Sequence, residues 1–169
     1  MMSLEQNLIL TDHQVRQIIK RIAFEIYENN FDEKNIVIVG IVDQGYYVAE
    51  MITQELEKIV EGVKVKLVKL TINKQNPLAS DVEFDTELKH LKGKSVVLID
   101  DVLNTGKTMA YCLKALLEVD VKKVQTAVLV NRSHKQYPLL ANYMGYELST
   151  TIDDHVQVNL EENKGVYLY

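Results

Sequence analysis

An α/β domain, a mainly parallel sheet flanked by helices, is the fold class predicted for this chain, and three observations predict it. Runs rich in Val, Ile and Leu (Ile36–Ile41, Val63–Ile72, Ser95–Ile99 and Val124–Val130) alternate with stretches whose apolar residues recur at helical spacing. Most of these runs are apolar nearly throughout rather than at every second position, as in strands buried on both faces. The chain has 169 residues, 47% apolar and 25% charged, enough to bury a core without disulfides or metals.

The elements follow in order. Thr11 can cap a helix, and Gln14 three residues on completes a capping box. Val15, Ile18, Ile19, Ile22, Ala23 and Ile26 then line one helical face, and Asn29-Asn30 ends it. Gly40 and Gly45 bracket a tight loop after the first strand, and Val48, Ala49, Ile52, Leu56 and Ile59 mark a second helix. Asn73–Gly93 has no sustained period and much charge, and reads as a long, mobile loop of the kind that is usually functional. A third helix begins near Gly106 and carries Leu113, Leu116 and Leu117. Asn131–Tyr169 reads as turns and short strands, among them Val156–Leu160 and Val166–Tyr169.

Composition excludes several functional classes. A net charge of −5 gives no bulk attraction to nucleic acid. The one cysteine, Cys112, falls within the third helix, where a buried thiol is expected. Met1–Leu10 lacks the basic and apolar regions of a signal peptide, and no apolar run reaches membrane-spanning length. A cytoplasmic location without membrane contact is expected. His13, His90 and His155 lack ligand spacing, so no metal site built from protein side chains alone is expected.

The segment Val96–Thr108 carries the chemistry. Four apolar residues, Val96–Ile99, make a buried strand; Asp100 and Asp101 follow at its carboxyl end, where α/β sheets bind ligands. Val102 and Leu103 anchor the turn, and Thr105-Gly106-Lys107-Thr108 opens a helix. Free N–H groups, the helix dipole and two hydroxyls there suit a dianionic phosphate, and Gly106 permits close backbone approach. Acids on one side and an anion cradle on the other suit a phosphorylated sugar. A Walker A loop is rejected, because Asp101 stands where its first glycine must be. An acidic pair like that of receiver domains is expected near the N-terminus rather than at mid-chain. By position, three loops should meet at the mouth of the sheet: Gly40–Gly45, Asp100–Thr108 and Asn131–His134.

The segment resembles the signature of type I phosphoribosyltransferases, which bind 5-phosphoribosyl pyrophosphate (PRPP). Ile9–Ile26 is similar to that family's opening helix, and Ile38–Ala49 holds the place of its pyrophosphate loop. Ala127–Lys135, Pro138 and Ala141–Gly145 resemble the PyrR type, pyrimidine operon regulators that are also uracil phosphoribosyltransferases. The resemblance implies a type I phosphoribosyltransferase fold over residues 1–169, with a small hood drawn mainly from 131–169. It implies transfer of the 5-phosphoribosyl group from PRPP to a nucleobase, uracil, with release of pyrophosphate. Asp100 and Asp101 would then face the ribose hydroxyls and a Mg²⁺ ion as the catalytic pair. Val102, Leu103 and Asn104 would complete the PRPP segment, with Thr105, Gly106, Lys107 and Thr108 on the 5′-phosphate. Val42, Asp43, Gln44 and Gly45 would form the pyrophosphate loop, and Asn131, Arg132 and Met144 the base-recognising hood. A homodimer is implied as well.

The chain departs from the resemblance at named positions. Asn104 stands where purine enzymes carry an Asp, which tilts the base toward a pyrimidine. Asp43 and Gln44 replace a polar residue and an arginine, and the long loop lacks the Arg-Asp pair of the PyrR type. Lys74 is the nearest cation within reach of a pyrophosphate, but a solvated surface lysine is the favoured reading. Phe24, Leu140 and Tyr146 stand where RNA-binding relatives have His, Arg and Lys. Lys20, Arg21, Arg132, His134 and Lys135 are what is left for a basic RNA patch. Two alternatives to the uracil enzyme therefore stand: an RNA-binding or PRPP-sensing regulator with little or no catalysis, and a purine or xanthine phosphoribosyltransferase.

Overall fold

In the computed structural model, which describes residues 6–151 and 153–169, six strands form the main sheet. In chain order, β1 (Asn7–Thr11) leads into α1 (Asp12–Glu28), and β2 (Asn35–Ile41) into α2 (Gln44–Ile59). Next come β3 (Lys64–Thr71), the two-residue β4 (Glu83–Phe84), a 3-10 turn at Leu88–Leu91, and β5 (Ser95–Leu103). The chain continues with α3 (Lys107–Leu116), β6 (Lys123–Arg132), β7 (Tyr143–Leu148), β8 (Val156–Asn159) and β9 (Gly165–Leu168). The main sheet has the order β4-β3-β2-β5-β6-β7, and only the edge strand β4 runs antiparallel.

The strands form as their residues require. Ile36 and Ile38 of β2 and Val97 and Ile99 of β5 pack on one face against α1 and α2. Val37, Val39, Val96 and Leu98 pack on the other face against Met109, Cys112 and Leu116 of α3. Alternate side chains thus enter two cores, so both faces must be apolar. The capping box at Thr11 is present in both directions: its hydroxyl accepts from the Gln14 N–H at 3.2 Å, and Gln14 Oε1 accepts from the Thr11 N–H at 2.9 Å.

Several expectations are corrected. Ile9–Thr11 is not helical but belongs to β1, which pairs antiparallel with β9 in a separate sheet of order β1-β9-β8. A strand that pairs with the far end of the chain leaves no local signal. Strand β7 was also unmarked, because Tyr-Met-Gly-Tyr-Glu-Leu lacks a clean alternation. Leu117 is the C-cap of α3 and is exposed rather than helical. The long loop Asn73–Gly93 is interrupted by β4 and by the 3-10 turn, whose Leu91 is buried. Among the described residues, no helix is long and apolar enough to cross a membrane.

What positions the site is the reversal of strand order between β2 and β5. The α2 crossover leads outward to β3 and α3 leads the other way to β6, on opposite faces of the sheet. A crevice opens between the loops that follow β2 and β5, as at the switch point of other open α/β sheets.

Candidate active site

Strand β5 carries the acids. It runs longer than the apolar pattern suggested, through Leu103, so Asp100 and Asp101 are strand residues and not the start of a loop. Asp100 is buried rather than presented to solvent, while Asp101 is partly exposed. Asp100 Oδ1 accepts the Asp101 backbone N–H at 2.9 Å and the Lys74 ammonium at 3.0 Å. The same ammonium lies 3.7 Å from Asp101 Oδ1. Lys74 is therefore no freely solvated lysine, although 36% of its side chain stays exposed.

Burial raises the Asp100 pKa most, the neighbouring Asp101 carboxylate adds to that, and Lys74 opposes both; the net direction is upward. For Lys74, burial alone would lower the pKa, but attraction to Asp100 and Asp101 outweighs it and the pKa is raised. Cys112 behind them is buried, and that burial, with Asp100 second, pushes its thiol up to about 12. Such a thiol is inert at neutral pH.

The anion cradle follows. Gly106 takes φ of +88° at the N-cap of α3, a left-handed conformation that side chains disfavour, and a Cβ there would lie 3.3 Å from Tyr137 Cβ. This turn places the N-terminus of α3, whose first N–H groups have no intrahelical acceptor, on the same compartment as the acids. Thr105 Oγ1 accepts the Lys107 N–H at 3.3 Å, and Thr105 O accepts from the N–H groups of Gln136 and Tyr137 at 2.9 and 3.0 Å. The cradle is thereby tied to the segment after β6.

From across the crevice, α2 closes in. A Cβ on Gly45 would sit 2.7 Å from Asp100 Oδ1 and 2.9 Å from Asp100 Cα, so only glycine fits. The Val42–Asp43 peptide is cis, and Val42 N–H donates to Leu70 O of β3 at 3.0 Å. Asp43 is exposed and makes no cap bond to α2; Gln44 Oε1 is buried without a hydrogen-bond partner among the described residues.

Asn131, Arg132 and Met144 lie on β6 and β7 of the main sheet, not in the small sheet. The Asn131 amide is engaged internally, its oxygen accepting from Lys135 Nζ at 2.7 Å and its nitrogen 3.4 Å from Glu147 Oε1. Arg132 is buried and therefore offers nothing to a surface patch for RNA. It donates to Thr150 Oγ1 at 2.7 and 3.0 Å and to Asp154 O at 2.8 Å, holding the segment before β8 over the mouth. Arg21 is also engaged, through Glu25 at 2.6 Å and the Gly145 carbonyl at 2.8 Å.

Two cavities result. One, of about 250 Å³, is lined by Lys74, the whole run Asp100–Met109, Arg132, His155 and Val156. The other, of about 400 Å³, is lined by Asn104, Thr105, Arg132, His134–Gln136, Asp154 and His155. They share Asn104, Thr105, Arg132 and His155 and so form adjoining compartments. Of the expected residues, Asp100–Thr108 and Arg132 come together here, and Gly45 backs Asp100. Asn131 and Met144 line neither compartment, and Gln44 lines a separate groove beside Asn159–Asn163. Lys74, His155 and Val156 were not singled out as lining residues from the sequence. Their place depends on how two distant segments fold over the mouth.

A family model described as a phosphoribosyl transferase domain matches residues 5–163. The chain belongs to the phosphoribosyltransferase family. The Bifunctional protein PyrR of Fusobacterium nucleatum is 34% identical, with 97% of this chain and 96% of that one covered. That of Haemophilus ducreyi is 32% identical over 95% of this chain and 93% of its own. Within the family, then, this phosphoribosyltransferase is PyrR-like. A hypoxanthine phosphoribosyltransferase of Trypanosoma cruzi superposes with a TM-score of 0.75 at 16% identity, covering 89% of this chain and 84% of its own. A hypoxanthine-guanine phosphoribosyltransferase of Bacillus anthracis gives 0.69 at 16%, covering 86% and 84%. At that identity the likeness establishes the type I phosphoribosyltransferase fold alone.

Proposed function

We propose that this phosphoribosyltransferase transfers the 5-phosphoribosyl group of PRPP to uracil and releases pyrophosphate. The observation that carries the reading is the joining of acids and anion cradle in one compartment: Asp100 and Asp101 at one wall, Thr105–Thr108 at the other. In this reading the N–H groups and hydroxyls of Thr105–Thr108 hold the 5′-phosphate, and the acids accept hydrogen bonds from the ribose hydroxyls. Two adjacent carboxylates already drawn to one ammonium are a donor set suited to a hard divalent cation, so Asp100 and Asp101 would also hold Mg²⁺. When bound, Mg²⁺ supplies neutralisation of the leaving diphosphate. As the bond from C1 to the diphosphate oxygen lengthens, positive charge grows on the ribose, and the fixed carboxylate of Asp101 stabilises it. The bond from C1 to a ring nitrogen of the base forms, and that nitrogen gives up its proton to water. The second compartment would take the base. Arg132 acts there by holding Thr150, Thr151 and Asp154 through its Nε and Nη2. Val42–Gly45 would face the diphosphate.

A base panel tests the reading: PRPP and Mg²⁺ with uracil, hypoxanthine, guanine, xanthine or orotate, followed by pyrophosphate release. Release with uracil alone is expected. Release only with a purine would replace uracil by the purine reading. PRPP binding without turnover on any base would favour a sensing regulator, the reading suggested by the exposed Asp43 carboxylate in the loop that faces the diphosphate. Phe24, Leu140 and Tyr146 are all exposed and contribute no charge, which speaks against an RNA surface on that side.

A further inference from the structure

The acid pair has a resident cation. Lys74 stands three residues beyond the end of β3, and its direction is set locally. Ile72 is buried as an anchor, and Asn73 Oδ1 accepts the N–H groups of Gln75 and Asn76 at 3.1 and 3.0 Å, turning the chain sharply at Lys74. The turn sends the lysine stem over the mouth, where Nζ reaches 3.0 Å from Asp100 Oδ1 and 3.7 Å from Asp101 Oδ1. A monovalent ammonium thus sits within contact distance of both carboxylates that a divalent cation would need. Two cations cannot occupy that one position, and an ammonium a few ångströms away repels a divalent cation approaching the acids.

We propose that Lys74 is a built-in competitor for the metal, which keeps the Asp100–Asp101 pair closed to a free divalent cation until the ammonium moves aside. The proposal rests on the reading of the acid pair as the metal-holding group. The geometry allows the movement. Lys74 is borne on the irregular stretch between β3 and β4, its side chain keeps 36% of its surface exposed, and a four-carbon stem can carry Nζ off the acids by rotamer change. The anionic substrate that brings the metal also gives the displaced ammonium a new partner. Loading is thereby tied to the metal–substrate complex rather than to the ion alone.

The test uses Mn²⁺ as probe on the full chain without PRPP, with binding followed by electron paramagnetic resonance. Lys74→Met should bind Mn²⁺ at least about ten-fold more tightly than the wild type, whereas Lys74→Arg, which keeps the charge, should stay within about two-fold of it. Equal or weaker binding by Lys74→Met overturns the proposal. A second measurement needs no variant: saturating Mn²⁺ should speed acylation of Lys74 in the wild type, read by peptide mass mapping, and an unchanged rate overturns the proposal even if Lys74→Met fails to fold. Calorimetry with Mg²⁺ and PRPP on the wild type separates the two failures. Normal PRPP binding beside an unaltered Mn²⁺ affinity in Lys74→Met sinks the competitor while the acid-pair reading stands; no PRPP binding at all sinks that reading.

Discussion

The loops after β5 and β2 face each other across one crevice, yet they are built differently. After β5, Asp100 is shared by Lys74 and a backbone N–H, and Thr105 is tied to the segment after β6. After β2, Asp43 caps nothing and Gln44 Oε1 is buried without a partner among the described residues. Under the proposed function the first loop would hold the sugar phosphate. The second would meet the diphosphate with a carboxylate and an amide where the PyrR type carries a polar residue and an arginine. Under that proposal substrate binding and turnover are separable, with binding resting on the loop after β5.

Four experiments break or sharpen that contrast. The largest effect is expected from Asp101→Asn, which keeps the shape and removes the charge on the β5 side. Steady-state pyrophosphate release should fall on the order of 100-fold with an unchanged melting temperature. Next is Gly45→Ala, at the point where the two sides touch. Its Cβ would lie 2.7 Å from Asp100 Oδ1, so the β2 side must retreat, and urea unfolding should show a loss of about 1–3 kcal/mol. A wild-type value would mean that the loops are not in contact. Smaller is the gain from Asp43→Asn, which removes the misplaced charge. Titration calorimetry should show PRPP binding tightened by a few-fold, as expected for about 1 kcal/mol of repulsion between exposed charges. No gain would show that Asp43 turns away from the anion.

The smallest effect concerns Cys112, behind the acids. Its thiol ionises near 12 in the folded chain, against an ordinary value of 9.0, because it is buried. The unfolded chain loses that proton first. The contribution of the neutral thiol to stability is thus complete below pH 9 and is lost as pH rises toward 12. Thiol labelling of the native protein should stay slow up to pH 9 and become fast in denaturant. Fast native labelling at pH 8 would mean that the acid side is less well packed than described.

Local sequence was enough for some features and not for others. The capping box at Thr11, the strand cores of β2, β3, β5 and β6, and the turn into α3 at Gly106 are short-range. Each depends on neighbours within a few residues, through hydrogen-bond reach, side-chain period or the φ that only glycine tolerates. Strand β1 was hidden because its partner β9 lies at the other end of the chain. The same is true inside the site. The run Asp100–Thr108 was legible as one contiguous piece, and its likeness to a known signature supplied the expected ligand. Asn131 and Met144 were placed in the hood by that likeness, whereas they sit in the main sheet.

The alternation of apolar runs and helical periods dictates a parallel α/β sheet, and the order strand, acids, glycine, helix puts the carboxylates and a helix N-terminus on one contiguous run. These follow from bonding rules that act over a few residues. That Asp100 is buried, that Lys74 is its counter-ion, and that Arg132 serves the segment before β8 were settled by the fold. Each depends on pairs far apart in the chain, 26 residues for Lys74 and Asp100 and 18 for Arg132 and Thr150, whose meeting is decided by strand order and loop packing rather than by any residue's own preference.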